Sequence, residues 1–255
     1  MAKTFDTPME SKLSLYDGSR EDLPKVPFRN LVGILFWLAR CTRPDIMLAV
    51  NWLARLVSCF THQHWLYAKR VLKYCLDTKH VTLKYVKQQN IDVNKLRMDV
   101  YTDANWNRDP DVFKGRSTSC AVTFMWDCLV DWSVEKQQTP AQSTCEAEMY
   151  AITVGANDGM YFVNLMTEIG IPVNMPHNIY VDNTAAGQNA EQHMNNKKTK
   201  HVAFKHLVVR DLVERGIFEM FYIPTDNNVA DIGTKPLKSE AHWKHLRTLL
   251  NYTDK

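Results

Sequence analysis

Apolar residues recur along the first third of the chain with a helical period. Leu31, Ile34, Leu35 and Leu38 fall at i, i+3, i+4 and i+7, which is one face of a helix. Pro44 interrupts this run, with the break at Thr42 or Arg43, because the residue before a proline avoids the helical region. A second run continues through Met47, Val50, Leu53, Ala54 and Val57. A third begins near His62 and carries Trp65, Ala68, Val71, Leu72 and Cys75. Residues 28–76 therefore predict a helical region with basic residues between the apolar positions. Residues 1–27 are polar and hold Pro8, Pro24 and Pro27, which predicts an extended lead-in. Residues 81–86 alternate apolar and polar positions and predict a strand. Residues 87–97 are polar and predict a linker.

The pattern changes from residue 98 onward. Residues 98–103 predict a strand ending in a carboxylate. Residues 118–126 and 129–134 are short and apolar-rich, and Asp127-Cys128 between them predicts a hairpin turn. Residues 144–170 predict a long helix stopped by Gly170 and Pro172. His177–Val181 predicts a strand, 199–215 a helix stopped by Gly216, and 217–223 a further strand. Residues 229–235 predict the start of a final helix. Three strands before a helix, then alternating strands and helices, predict an α/β fold with a mixed sheet.

Composition changes this picture little. Hydrophobic residues make 45% and charged residues 23% of 255 residues, so the chain is neither disordered nor collagen-like. The most apolar window, 31–53, is broken by Arg40, Arg43, Pro44, Asp45 and Asn51, which excludes a membrane span there. The first residues lack an apolar signal-peptide core. None of the six cysteines forms a C-x-x-C pair, so most of them, set among apolar neighbours, read as reduced core residues of an intracellular protein, in cytoplasm or nucleus. A net charge of +3 is too small to name a nucleic-acid partner; its distribution says more. Lys69, Arg70, Lys73, Lys79 and Lys84 read equally as a nucleic-acid track and as a solvated helix face. Lys197, Lys198, Lys200 and Lys205 precede or open a predicted helix and are candidates for phosphate contact. His62 and His64, beside Trp65, read as helix-start packing rather than a metal pair.

Four acids stand at ends or faces of the predicted elements: Asp103, Glu148, Asp182 and Asp231. Each adjoins apolar sequence that would draw it toward the core. Four carboxylates in one small cleft require counter-charge. Hard divalent cations with oxygen ligands supply it, Mg²⁺ among them. Taken singly, each acid is equally at home as a turn former, a helix cap or a helix-dipole partner. Glu146 and Glu148 lie two residues apart, about 200° around a helix. Only one can face a cleft, and spacing alone does not choose.

The motifs do carry a resemblance. "VYTDANW" (100–106), "GRSTSCAV" (115–122), "VDWSVEKQQT" (130–139), "STCEAEMYA" (143–151), "IYVDN" (179–183), "KKTKHVAFKHLVVRDLVERGIF" (197–218) and "IPTDNNVADIGTKPL" (223–237) resemble, in order, the ribonuclease H domain of copia-type retrotransposon Pol polyproteins. "TPMESKLSL" (7–15), "PFRNLVGILFWLARCTRPDI" (27–46) and "HWLYAKRVLKYCLDTKHVTLKY" (64–85) resemble the thumb and connection region of the same polyprotein's reverse transcriptase. The polymerase's paired-aspartate motif, fingers and palm have no counterpart here.

The resemblance implies a ribonuclease H-like mixed five-stranded sheet flanked by helices over 98–255, preceded by a small mostly helical region over 1–97. It implies that Asp103, Glu148, Asp182 and Asp231 bind two Mg²⁺, or Mn²⁺, and hydrolyse the RNA strand of an RNA–DNA hybrid. It implies as partners the hybrid and the rest of the reverse transcriptase, and no membrane. Two other readings stay open. One is an inactive or domesticated fragment that binds nucleic acid or protein; the other is a transposase or integrase of the same fold. The Glu between two Asp disfavours the last. The chain also departs from the family pattern. Asn105 stands where a second Asp is usual, Cys120 where Gly is, and Gly233 where Leu follows "AD", which predicts a weaker final helix. The loop 224–228 lacks the His that many ribonucleases H carry before the last Asp; His201 and His206 lie elsewhere, and a surface role suits them equally.

Overall fold

A computed structural model describes residues 4–10, 25–86, 97–106, 115–191 and 203–253, with the side chains of 189–191 and 203–206 undescribed. Five strands form one mixed sheet in the order β3-β2-β1-β4-β5. They are β1 Met98–Asn105, β2 Thr118–Met125, β3 Cys128–Lys136, β4 His177–Val181 and β5 Phe218–Tyr222. The first three form an antiparallel meander, and β4 and β5 join β1 in parallel. This is the ribonuclease H-like architecture that the resemblance implies, with a mostly helical region ahead of it.

The hairpin turn falls one residue earlier than expected. Met125 pairs with Cys128, leaving Trp126 and Asp127 as a two-residue loop. Both have positive φ, 51° and 58°, the geometry of a turn whose twist matches the strands it joins. Neither is Gly or Asn, so the sequence carries no strong signal for it.

One face of the sheet is covered by α4 Thr144–Glu168, α5 Thr184–Glu191 and α6 Ala203–Glu214. Met149, Ile152, Ala156 and Val163 of α4 pack with Met98, Val100, Ile179 and Phe218. Close approach of α4 depends on missing side chains. A Cβ at Gly155 would lie 2.6 Å from Thr102 Cγ2 and 2.9 Å from Val100 Cγ1. Glu148 is seven residues before Gly155, two turns away on the same sheet-facing side.

The opposite face is covered by α1 Phe28–Cys41, α2 Met47–Ala54, α3 His62–Asp77 and α7 Ser239–Leu250. The four buried residues of α1, Phe28, Val32, Leu35 and Ala39, are spaced three and four apart and form its inner stripe. They share one core with Cys120, Val122, Phe124, Trp132, Val134 and Leu246. Hydrogen bonds stitch the seam. The Trp132 indole donates to the Ala39 carbonyl at 2.8 Å, and the Asn51 amide donates to the Val134 carbonyl at 2.8 Å. A buried polar cluster ties the connection between α1 and α2, and α3, to α7. The Arg43 guanidinium donates twice to Asp45, at 2.9 and 2.7 Å; Tyr74 OH also donates to Asp45, at 2.7 Å, and lies 2.9 Å from His242 Nε2. Burial by itself would raise the Asp45 pKa, but the hydrogen bonds and charge of Arg43 hold it below the ordinary value.

Three expectations need correction. Residues 81–86 pair with no strand among the described residues; Lys84 N–H instead bonds the Leu250 carbonyl at 3.0 Å. The last helix does not start at residue 229. Val229–Gly233 is a 3-10 turn capped by Asn228, and α7 begins only after Pro236. Of the expected stripe of α1, Leu31, Ile34, Leu35 and Leu38, only Leu35 is fully buried and Ile34 is 60% exposed, because Phe28, Val32 and Ala39 complete the inner face. The six cysteines are all free, and all but Cys41 are buried or partly buried against the cores. The expected linker falls, but for Arg97, outside the described residues. His64 does serve helix packing: its Nδ1 accepts from Thr61 N–H at 2.9 Å, completing a capping box at the start of α3.

Candidate metal centre

The site lies at the carboxyl ends of β1 and β4. In open α/β sheets this is where side chains from neighbouring loops converge, at the point where the connections change direction. Tyr101 is in register with Tyr180. Carrying that register two residues on brings Asp103, near the end of β1, beside Asp182, which follows β4. Glu148 reaches the same place from the second turn of α4. Ligand oxygens of Asp103, Glu148 and Asp182 lie within 4.8 Å of one another.

Asp231 stands beside this trio. Its 3-10 turn is pinned to β1 by Asn228, whose amide donates to the Thr102 carbonyl at 2.9 Å and whose oxygen accepts from Ala230 N–H at 3.2 Å. Thr234, just after the turn, donates its hydroxyl to Asp103 Oδ2. Lys235 Nζ lies 2.7 Å from Asp231 Oδ1 and 3.5 Å from Asp103 Oδ1. The sequence reading missed Lys235; its four-residue spacing from Asp231 was the available signal. The Asn105 amide donates to the Thr234 carbonyl at 2.9 Å, a bond an ionised Asp at that position could not make.

Glu146 and Glu148 have separate tasks. Glu146 accepts from the Gln142 N–H at 2.7 Å while its own N–H donates to the N-cap Ser143, so it closes the start of α4. Glu148 is 5% exposed and turns inward.

Crowded, buried carboxylates resist ionisation. Burial, then the charges of Asp103 and Asp182, push Glu148 up to about 9. Burial, then Asp231, push Asp103 up to about 6, against the pull of Lys235 and Thr234. Burial and Asp103 raise Asp182. Burial also raises Asp231, despite Lys235. The four groups share one deficit of positive charge that a divalent cation would relieve. Their donors are all carboxylate oxygens, which fits Mg²⁺ or Mn²⁺ rather than a soft metal.

An open cleft of about 410 Å³ fronts the acids, walled by Trp106, Thr144, Asn183, Thr184 and Thr225. The Trp106 indole is fixed by a 3.0 Å bond to the Ala141 carbonyl. Lys197, Lys198, Lys200 and His201 lie outside the described residues, and Lys205 and His206 are placed on α6 only by their backbone. In the other basic stretch, Arg70 pairs with Glu10 at 2.6 Å and Lys73 with Asp77 at 2.5 Å.

Two departures from the family pattern meet beside the acids. A Cβ at Gly233 would fall 2.3 Å from Cys120 Sγ and 2.9 Å from Cys120 Cβ. A larger residue at 120 thus occupies the space that a larger residue at 233 would need. Gly233→Leu alone is expected to destabilise the protein by about 1–3 kcal/mol through overpacking. Adding Cys120→Gly is expected to return part of that loss. Denaturant midpoints of both single variants and the double variant check this, and strictly additive values would refute the coupling.

No known family profile matches the chain. It is similar to the retrovirus-related Pol polyprotein from transposon RE1 of Arabidopsis thaliana, 32% identical over 242 residues, covering 94% of this chain and 16% of the relative. It is similar also to that from transposon TNT 1-94 of Nicotiana tabacum, 28% identical over 241 residues, covering 92% and 18%. The chain thus spans less than a fifth of these relatives' length. Among solved structures it matches LC11-RNase H1, isolated from compost, at 17% identity and a TM-score of 0.41, covering 59% of this chain and 98% of that one.

Proposed function

The chain belongs to the Pol polyproteins of copia-type retrotransposons, and on that premise we propose that it is a ribonuclease H-type endonuclease that cleaves the RNA strand of RNA–DNA hybrids. The observation that carries the reading is the meeting of Asp103, Glu148 and Asp182 within 4.8 Å, with Asp231 beside them, at the open ends of two parallel strands. Two bound Mg²⁺ ions would lower the pKa of the attacking water and stabilise the departing 3′ oxygen.

The chain's own residues hold the geometry. Asp103 and Asp182 are set by strand register, Glu148 by the face of α4 and Asp231 by the capped turn. Thr234 and Asn105 keep that turn against β1. The cleft is open on one side, as a duplex substrate requires. Discrimination for a hybrid would rest on 2′-hydroxyl contacts to one strand and phosphate contacts to the other. Lys197, Lys198, Lys200 and Lys205 are proposed for the phosphate contacts, on their charge and sequence position. Residues 98–255 are proposed as the catalytic unit and 1–97 as a thumb- and connection-like part of the reverse transcriptase.

The test is cleavage of a labelled RNA–DNA hybrid by the full chain with Mg²⁺, beside duplex RNA. Expected products carry 5′-phosphate and 3′-hydroxyl ends. The double variant Asp103→Asn, Asp182→Asn is expected to lose activity by roughly 10³-fold or more, on the scale of the charge stabilisation a bound metal provides. A folded, Mg²⁺-replete protein that binds the hybrid without cutting it would overturn the catalytic reading and leave a binding fragment.

A further inference from the structure

Lys235 is the one cation among the described residues lining the cleft. Its ammonium faces two of the four acids, at 2.7 Å from Asp231 and 3.5 Å from Asp103. The pairing is not a loose surface contact. Asp103 is 1% and Asp231 6% exposed, and the backbone leading to Lys235 is held by three bonds. Thr234 donates its hydroxyl to Asp103, Asn105 donates to the Thr234 carbonyl, and Lys235 N–H donates to the Asp231 carbonyl at 3.0 Å. The lysine is thus a built part of the cluster, paired with Asp231 and Asp103.

Resting on the metal-centre reading above, we infer that Lys235 is the cluster's resident counter-cation, neutralising the Asp103–Asp231 edge in the metal-free protein and competing there with the divalent ion. In the corner formed by Asp103, Glu148 and Asp182 only Asp103 touches Lys235, at 3.5 Å; its charge reaches Glu148 and Asp182 only at longer range, so an ion meets carboxylate oxygens there that no ammonium occupies. An ion that needs Asp231 must displace the ammonium. A lysine suits this task better than an arginine. Its point charge on a flexible four-carbon stem can leave one carboxylate without moving the backbone, whereas a guanidinium would clamp both oxygens. The arrangement keeps the acids folded together before metal arrives and weakens metal binding by the strength of the pairs it replaces.

The experiment is Mg²⁺ titration calorimetry, without substrate, on the full chain and on Lys235→Met, together with melting temperatures with and without Mg²⁺. Lys235→Met is expected to bind Mg²⁺ about ten-fold more tightly, the scale of one charge-assisted hydrogen bond. It is also expected to melt lower than wild type without metal and to recover most of that difference with saturating Mg²⁺. A merely structural lysine would lower both melting temperatures equally and leave affinity unchanged, and that result overturns the inference. Lys235→Gln, which keeps a donor but no charge, carries the same expectation if the Met variant does not fold. Wild-type and variant chains that both ignore millimolar Mg²⁺ would overturn the metal-centre reading itself, and this inference with it. Normal wild-type binding with an unchanged variant affinity overturns this inference alone.

Discussion

Residues 98–255 made without the residues before them are expected to lose the cooperative fold of the full chain. The helical region forms one wall of the sheet's core. Val122, Phe124, Trp132 and Val134 lie in the same buried cluster as Phe28, Val32, Leu35, Met47, Trp52 and Leu53. Removing α1 to α3 would bare at least four large side chains on β2 and β3, each worth about 1.5–3 kcal/mol of burial. That sum is comparable with the whole stability of an ordinary domain, about 5–15 kcal/mol. The Trp132 indole would lose the Ala39 carbonyl, and Tyr74 would no longer meet His242 on α7. An exposed apolar face of this kind promotes association. Near-UV circular dichroism, dye binding and thermal melting of the truncated chain provide the measurement. A soluble, cooperatively melting 98–255 would show that the sheet needs no such cover.

Glu148→Gln is expected to raise the melting temperature of the metal-free protein at pH 8 while removing the proposed ribonuclease activity. The Glu148 carboxyl titrates near 9 in the fold, against an ordinary 4.5. An acid with a raised folded pKa favours the fold fully below its unfolded pKa and loses that contribution as pH climbs through the folded value. The disadvantage therefore grows between about pH 4.5 and 9, and a neutral amide removes it. A gain on the order of 2 kcal/mol, or roughly 5 °C, is expected at pH 8, shrinking toward pH 5. Saturating Mg²⁺ is expected to reverse the order, because wild type then has a cation for its carboxylate and the amide variant binds it poorly. Calorimetric melts at both pH values, with and without Mg²⁺, decide the matter. A variant that melts below wild type in metal-free buffer at pH 8 would mean that Glu148 is not under electrostatic strain.

Much of this was legible in the sequence, for identifiable reasons. His177–Val181 and the approximate bounds of α1 to α3 followed from apolar spacing, although α1 buries a neighbouring stripe and α2 is buried on nearly every side; α4 was bounded by its stop signal at Gly170 and Pro172. The convergence of Asp103, Glu148 and Asp182 was foreseen only through the resemblance; element order alone does not give the parallel register that brings two strand ends together. The choice of Glu148 over Glu146 came from the resemblance, since spacing alone left it open; the capping bonds at Gln142 and Ser143 supply its physical reason. The hairpin turn was read one residue late because Asp127 is a usual left-handed former but Trp126, which shares the turn, is not. Residues 81–86 alternate like a strand yet meet the end of α7, and local pattern cannot report a partner. Helix α5 escaped because its Ala, Gly, Asn and Gln residues leave no apolar stripe. Gly233 was read as a weak point in a helix; its neighbour Cys120 lies more than a hundred residues earlier in the chain and is invisible to any local window.

The seam between the first helices and the last has a consequence for how the chain is made. Helices α1 to α3 leave the ribosome before the sheet does, yet their inner faces are completed by β2, β3 and by Leu246, Leu249 and Leu250. At about 5–20 residues per second, the interval between synthesis of Asp77 and of Leu250 is roughly 10–35 s. Until β2 and β3 are made, Leu35, Met47 and Leu53 have no sheet to lie on, and until Leu250 is made their shared core stays incomplete. Nascent chains halted before residue 240 should therefore be cut by protease within α1 to α3, and chains that have cleared the exit tunnel past Leu250 should resist.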